Sequence, residues 1–586
     1  MRLTIKIGGA AGQGVESGGA GLTKALMHAG AHVYGFGDYM SRIRGGHNFF
    51  ILTMDDSHEV YSNSAPVHIL VALGTETLKE HINEVIEGGS ILVDDEFPVS
   101  DSDLKVIEKN KLTLCKLPVN KLASDIGGNK IYSNTGLLGG AAALLGLDFK
   151  YLDEVIRENF GRKSSEVADK NAQIGFEAYK QTQIKYLSSF KWKLNYKAHK
   201  KQRMLIHGND SFAIGAFAAG CRFISAYPMT PATSIIEWFA KHHKYGAVTK
   251  HVEDEIAAAI MAIGANHAGV RSMTATSGGG FSLMVEALGL AGMTETPVVI
   301  VNVQRGGPST GLPTRTEQPD LLFILNASHG EFPRIVYAPG SHKDCFLTGI
   351  KAFNMAEKYQ TPVLVLSDLQ QSSSLNDVDA SSFDLNKATI DRGKLLTKQD
   401  LDKMTEPYLR FKFTEDGISP RALPGHPKSV YASVTDEHNE TGHIFEEKQN
   451  RIKMFEKRMM KETTALKDIN LPSIYGPQDA DTTLVSWGGN YGVCKDTVDM
   501  NERGEFGKNG KINLIYFQDM WPFPAEGIKQ IFSKVKKPVL VESNFSGQLG
   551  KLLMMTTGYK IKDKILRFDG RSFYPEEIKK ELERIG

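Results

Sequence analysis

The sequence predicts a multidomain α/β protein whose sheets are covered by helices. Three observations carry this expectation. Short β-rich runs alternate with helical patterns along most of the chain. Glycine-rich turns repeatedly stand between a strand-like run and a helix start. The length, 586 residues, corresponds to roughly three or four domains at about 100–200 residues each.

The first stretch spans residues 1–190. Leu3–Ile7 is a short β-rich run, followed by a Gly-rich turn and a helical pattern from Gly14 to Ala29. His47–Ser62 alternates around Asp55-Asp56-Ser57 and reads as a β-hairpin. Further strands are expected at His68–Leu73, Ser90–Val93 and Leu112–Cys115. Residues 191–203, rich in lysine, read as a solvated linker.

The second stretch spans 204–373. Its strand-like runs are Arg222–Ala226, Ala247–His251, Arg271–Ala275, Pro297–Val303, Arg334–Tyr337 and Pro362–Ser367, nearly all separated by helical segments. That pattern predicts a doubly wound parallel sheet, which binds ligands beyond the carboxyl ends of its strands. Residues 374–479 are polar and lack strand-like runs, with a charged helix expected over Phe445–Lys467. The third stretch, 480–586, reads as a smaller α/β domain with strands at Ile512–Phe517 and Pro538–Glu542 and a final helix over Pro575–Ile585.

Composition excludes several classes. Lys plus Arg total 69 against 68 Asp plus Glu, a net charge of +1. That balance lacks the basic excess of a general nucleic-acid or membrane-surface binder. No apolar run reaches the ~18 residues of a membrane span, and the N-terminus lacks a signal-peptide apolar region. The expectation is a soluble, cytoplasmic protein. The four cysteines, Cys115, Cys221, Cys345 and Cys494, are scattered. They read as small buried hydrophobes, not as an iron–sulfur or zinc site, and no metal-ligand set is expected in this chain.

The chemistry-bearing residues fall at strand ends. Gly8 to Gly14 joins a strand to a helix, but Ser17 stands where a dinucleotide fingerprint needs glycine. A nicotinamide site is therefore weak there, with a tight structural turn or a phosphate contact as the alternatives. Arg42 and Arg44, beside Gly45-Gly46, suit an anion, an interface or a salt-bridged loop.

Tyr227-Pro228-Met229-Thr230-Pro231 follows the first strand of the second stretch. Thr230 sits at a helix entry, where it can cap the helix with Pro231 at the first helical position, face a ligand, or both. Glu253-Asp254-Glu255 opens a helix of small and apolar residues; the acids can complement the helix dipole or serve as a functional carboxylate. Ser277-Gly278-Gly279-Gly280 lets a ligand approach the backbone closely. Arg305 begins a long Gly- and Pro-rich segment, and a ligand carboxylate calls for such a bidentate donor. Four successive strand ends with special residues predict one shared crevice. Thr435-Asp436-Glu437-His438 lacks metal-site spacing and reads as a loop.

At this point the residues resemble a known family. EDEIAAAIMAIG, ATSGGGFSLMVEALGLAGMTETP and VQRGGPSTGLPTRTEQPDL, between Glu253 and Gly330, resemble the α subunits of 2-oxoacid:ferredoxin oxidoreductases. YPMTP is similar to that family's Tyr-Pro-Ile-Thr-Pro, with Met229 in place of Ile. TEDGISPRALPG and VESNFSGQL also look familial, and residues 1 to about 190, with GGAAGQGV and SRIRGGHN, resemble the γ subunit.

The resemblance implies a γ-type α/β domain, a doubly wound domain that binds the thiamine pyrimidine, and a transketolase-C-like domain. It implies thiamine diphosphate shared with a β subunit, which would hold the diphosphate, Mg²⁺ and a [4Fe–4S] cluster. CoA would be co-substrate and ferredoxin the acceptor, in an (αβ)₂ assembly. The chain's lack of a Gly-Asp-Gly…Asn motif fits half a site.

By the same resemblance Glu255 would hydrogen-bond N1′ of the aminopyrimidine. Glu253 is its rival; the spacing to Ala258, Ala259 and Gly269 fits the family better from Glu255. Tyr227, Pro228, Ser277 and Gly278 would line the cofactor. Thr230 and Arg305 would hold the substrate carboxylate, with Thr314 nearby and Arg44 at a second carboxylate. The implied reaction is oxidative decarboxylation of a 2-oxoacid, 2-oxoglutarate foremost, to acyl-CoA, CO2 and reduced ferredoxin. The alternatives are pyruvate or branched-chain specificity, a non-redox thiamine enzyme half of transketolase or decarboxylase type, and a nicotinamide-binding protein built on the first stretch.

Overall fold

The computed structural model describes every residue except 42–45, 130–131, 162–163 and 508–509. Contacts divide the chain into two units. One comprises Met1–Ile206, Ser373–Ser382 and Phe573–Gly586; the other comprises His207–Ser372 and Phe383–Ser572.

The first unit is built on an eight-stranded mixed sheet. Arg2–Ala10 pairs in parallel with Val67–Ala72 and antiparallel with His47–Asp55. Helix Val15–Ala29 follows the Gly-rich turn, where Gly12 and Gly14 take positive φ of 90° and 73°. Those angles strain any residue with a Cβ, which accounts for glycine at both positions.

Three expectations are corrected in this unit. The stretch His47–Ser62 is not a hairpin: its strand ends at Asp55, and its free edge is taken by His32–Asp38. Asp55 Oδ1 accepts from the Ser57 and His58 N–H groups at 2.8 and 2.9 Å, turning the chain out of the sheet. The region read as strandless contains Leu375–Asp379, antiparallel to His32–Asp38. This strand is polar because its side chains serve neighbouring backbone. Asp377 accepts from Val33 N–H at 2.7 Å, and Asn376 Nδ2 donates to Val33 and Val60 carbonyls at 2.9 and 2.8 Å. Helix Pro575–Ile585, grouped by the sequence with the third stretch, lies in this unit, with Glu576 accepting from Ala65 N–H at 3.1 Å.

The second unit carries the site. Its larger sheet has seven strands. Six are mutually parallel: Phe223–Ala226, Val248–His251, Ser272–Thr276, Val298–Gln304, Ile335–Tyr337 and Pro362–Asp368. Numbered in chain order, they are arranged 2-1-3-4-6-5. The order reverses between the first and third of these strands, and a parallel sheet opens a ligand crevice at such a point. A seventh strand, Asp519–Trp521, adds antiparallel to Ile335–Tyr337. A second sheet of five strands, centred on Ile512–Phe517 and Thr482–Trp487, shares one apolar core with the first; Trp487, Ile515 and Leu540 pack in the same cluster as Ala258, Phe281 and Ile300.

The connecting segment is pinned to this unit by buried charge. Lys457 and Lys461, on helix Lys448–Ala465, each lie 2.6 Å from the Glu295 carboxylate, and all three side chains are buried. Glu357 gathers Arg271, Arg392 and Arg421 at 2.6–2.7 Å. The Thr435–His438 run belongs to the same strap. Glu437 pairs with Arg451 and Arg458, and the His438 ring packs tilted against Phe411 with centroids 4.1 Å apart. All four cysteines are buried and unbridged, and burial pushes each thiol up to about 12. No helix among the described residues is long and apolar enough to cross a membrane.

Candidate active site

Each predicted strand-end motif leaves the same, carboxyl, edge of the seven-stranded sheet. Tyr227 to Thr230 follows Phe223–Ala226, and the next helix is Thr233–Lys241. Its N-cap position falls on Ala232, with no side chain capping it. The capping role expected of Thr230 is therefore corrected, because the turn runs two residues further before the helix begins. Tyr227 is 39% exposed, its ring 6.3 Å from that of His251.

Among the acids after Val248–His251 the labour divides. Asp254 is the cap, its Oδ1 accepting from Ala257 N–H at 2.8 Å. Glu253 is exposed. Glu255, the first residue of helix Glu255–His267, is only 4% exposed. The geometry thus separates the two rivals: one faces outward, the other is enclosed.

Gly278–Gly280 form the first turn of helix Gly278–Met293. Gly278 and Gly280 lack a side chain for a reason visible around them. A Cβ on Gly280 would fall 2.1 Å from Thr276 Oγ1 and 2.8 Å from Glu255 Oε1. One on Gly278 would fall 2.6 Å from Asp320 Oδ2. Ser277 leads this turn with its Oγ buried and without a partner. An orphaned buried hydroxyl costs roughly 1–3 kcal/mol, a cost that an incoming polar group would remove.

Arg305 ends Val298–Gln304 and reaches back across the crevice. Its Nη1 donates to the Thr230 carbonyl at 2.7 Å. Burial lowers the guanidinium pKa, opposed by the nearby Asp320 charge. From Gly306 the chain turns back on itself, with Leu312 N–H donating to Gly306 O at 2.8 Å. Thr314 sits half-buried on the return of this loop. Thr276 Oγ1 approaches Met229 Sδ at 3.8 Å, tying the first loop to the third strand. Thr230, Glu255, Ser277, Gly278 and Arg305 are thereby brought together. Arg44, with Arg42, lies outside the described residues.

Three polar residues here escaped the sequence reading. Asn302 Nδ2 donates to Asp320 Oδ2 at 2.9 Å. Asp320 is raised from its ordinary value by burial, with Asn302 and Arg305 opposing. Glu317 is raised to about 7, by burial first and then by Asp320 and Asp569. The available signal was the acidic pair three residues apart, directly after the Arg305 loop. Gln318 between them anchors the segment on the smaller sheet, its N–H donating to Ser543 O at 2.6 Å and its Nε2 to Trp487 O at 3.0 Å.

Comparison with known proteins decides the family. The 2-oxoacid:ferredoxin oxidoreductase subunit alpha of a Sulfolobus species is 36% identical over all of this chain and 97% of its own length. The chain belongs to the 2-oxoacid:ferredoxin oxidoreductase α-subunit family. Residues 214–457 match the thiamine-diphosphate-binding domain described as pyruvate flavodoxin/ferredoxin oxidoreductase, and residues 4–181 match the pyruvate ferredoxin/flavodoxin oxidoreductase domain. The 2-oxoglutarate synthase subunit KorA of Methanothermobacter thermautotrophicus is 35% identical over 64% of this chain and 97% of its own. The fold matches 2-oxoglutarate:ferredoxin oxidoreductase of Magnetococcus marinus, solved with 2-oxoglutarate, coenzyme A and succinyl-CoA bound. The TM-score is 0.91 at 31% identity, over 100% of this chain and 99% of that one. As an α subunit of this oxidoreductase family, the chain is one part of a multi-subunit enzyme.

Proposed function

We propose that this chain supplies the pyrimidine-side half of a thiamine diphosphate site in a 2-oxoglutarate:ferredoxin oxidoreductase. What supports the reading is that Glu255, Thr230, Ser277 and Arg305 follow the carboxyl ends of four neighbouring strands around the sheet's reversal point, with Arg305 bonded to the Thr230 carbonyl. The residues present fit the cofactor. Gly280 leaves the Glu255 carboxylate room, Ser277 offers an unpartnered buried hydroxyl, and the glycine turn keeps side chains out of the way.

Glu255, Tyr227, Pro228, Ser277 and Gly278 would hold the aminopyrimidine. When bound, the cofactor supplies the nucleophilic carbon that makes loss of CO2 from a 2-oxoacid feasible. Glu255 would hold a proton at the ring nitrogen N1′, a hydrogen bond strengthened by its enclosed position. Arg305 would pair with the substrate 1-carboxylate through its planar fork, with the Thr230 hydroxyl and Thr314 orienting it. The bond from Arg305 to the Thr230 carbonyl fixes the guanidinium before substrate arrives, lowering the ordering cost of binding.

A β subunit would bring the diphosphate and Mg²⁺ site and the [4Fe–4S] cluster, in an (αβ)₂ assembly. CoA would receive the acyl group, and ferredoxin would take the electrons in the cytoplasm. The domain limits expected from the sequence, 1–190, 204–373 and 480–586 with 191–203 and 374–479 connecting, belong to the same proposal, except that Leu375–Asp379 and Pro575–Ile585 lie in the first unit. The names of the KorA relative and the Magnetococcus neighbour favour 2-oxoglutarate over pyruvate or branched-chain substrates. The test is turnover by the co-expressed complex with CoA and a low-potential acceptor. Oxidation of 2-oxoglutarate supports the assignment; turnover of pyruvate or branched-chain oxoacids alone refutes it.

A further inference from the structure

In the first unit two buried histidines face each other, far in sequence from the motifs used above. His47 Nε2 and His81 Nε2 are 2.9 Å apart, and the two side chains are almost wholly enclosed. Glu80, the neighbour of His81 on helix Thr75–His81, completes a set of three ligand atoms that lie within 4.8 Å of one another. We propose that His47, His81 and Glu80 form a binding site for a divalent transition-metal ion of the zinc class, with one coordination position left open.

The second sphere supports this. Glu84 Oε1 lies 2.7 Å from His81 Nδ1. An ionised carboxylate only accepts, so it holds the proton on Nδ1 and leaves Nε2 with a lone pair. That carboxylate–histidine arrangement orients ligating imidazoles and raises their basicity. Lys6 also pairs with Glu84, and its Nζ is 3.4 Å from His81 Nδ1, on the side of the ring away from Nε2. Its charge is outnumbered: Glu76, Glu80 and Asp38 all act on His47, and Glu84 faces Lys6 directly.

The spacing also suits an ion. Nitrogen ligands about 2.0–2.1 Å from a tetrahedral centre stand about 3.3 Å apart, so the pair needs to open by only a few tenths of an ångström. His47 is held closely: a Cβ on Gly8 would fall 2.8 Å from its Cε1. Two imidazoles with a single carboxylate favour zinc-class ions over Mg²⁺ or Ca²⁺, which prefer oxygen. Three protein ligands plus an open position is the arrangement that leaves room for water or a small donor.

The test is calorimetric titration of the chelator-treated full-length chain with Zn²⁺, repeated with Co²⁺ by ligand-field absorption. The site requires one tight equivalent, lost in His47→Asn and His81→Gln. Glu84→Gln is expected to weaken binding about 10- to 100-fold through the second sphere. His199→Asn, in the separate His32–His199–Asp377 group, should leave binding unchanged. Should the histidine variants misfold, Glu80→Gln at its exposed position keeps the packing and should still weaken binding at least tenfold. Absence of binding to the native chain, equal affinity in the folded His47, His81 or Glu80 variants, or loss only in His199→Asn overturns the proposal.

Discussion

Arg305 Nη1 donates a hydrogen bond to the carbonyl oxygen of Thr230 at 2.7 Å, joining loops that are 75 residues apart in sequence. The bond uses one of the five donors of the guanidinium and leaves the rest of the fork for an anion. Arg305→Lys keeps the charge but loses both the fork and this anchor. Charge-assisted bonds of this kind contribute about 1.5–3 kcal/mol, so kcat/KM for the oxoacid should fall roughly 10- to 150-fold. Steady-state kinetics of the complex read this directly; an unchanged KM and kcat would remove Arg305 from the substrate site.

Gly280→Ala tests the cradle around Glu255. The added Cβ meets Thr276 Oγ1 at 2.1 Å and Glu255 Oε1 at 2.8 Å, so something must shift. Overpacking of this kind costs about 1–3 kcal/mol. A drop in melting temperature with a larger drop in turnover is expected. Full activity in a folded variant would show that the Glu255 position is not constrained by this turn.

Glu295→Gln should be strongly destabilising. It leaves Lys457 and Lys461 buried without their shared carboxylate, and breaking a buried pair costs about 3–5 kcal/mol. The charges around Glu295 hold its carboxyl well below the usual range, while burial lowers Lys461 to about 7. Chemical denaturation at neutral pH measures the difference; a change below about 1 kcal/mol would mean that the cluster is not a clamp.

Glu317 gives a pH signature. Its folded value is about 7 against an ordinary value of 4.5. Between those values the folded chain retains a proton that the unfolded chain has lost. Stability from this group is therefore full below about 4.5, declines as pH rises, and is gone above about 7. Glu317→Gln should flatten that decline and raise stability at pH 8 by on the order of 1 kcal/mol, seen as a higher melting temperature, because the group is half-exposed. A parallel decline in the variant would place the titration elsewhere.

Much of this site was legible because parallel sheets put function at strand ends. The runs around Thr230, Glu255, Ser277 and Arg305 each followed a strand that periodicity could find. What the sequence concealed was tertiary. The burial of Glu255 beside an exposed Glu253 depends on where Asp254 caps the helix. Strand Leu375–Asp379 is buried although polar, since Asn376 and Asp377 spend their side chains on distant backbone. His47 and His81 meet only because two strands and a helix fold over Gly8. The hairpin expected at His47–Ser62 failed because alternation specifies a strand but not its partner, and His32–Asp38 occupies that edge.

In the proposed function, Glu255 and not Glu253 is the carboxylate that serves the cofactor. CoA-dependent oxidation of 2-oxoglutarate by the purified complex, measured in parallel for native protein, Glu253→Gln and Glu255→Gln, tests it most directly. Near-native turnover is expected for Glu253→Gln and a loss of about 10²–10⁴-fold for Glu255→Gln, with both variants folded and assembled. Native-like turnover in Glu255→Gln, or a comparable loss in Glu253→Gln alone, would contradict it.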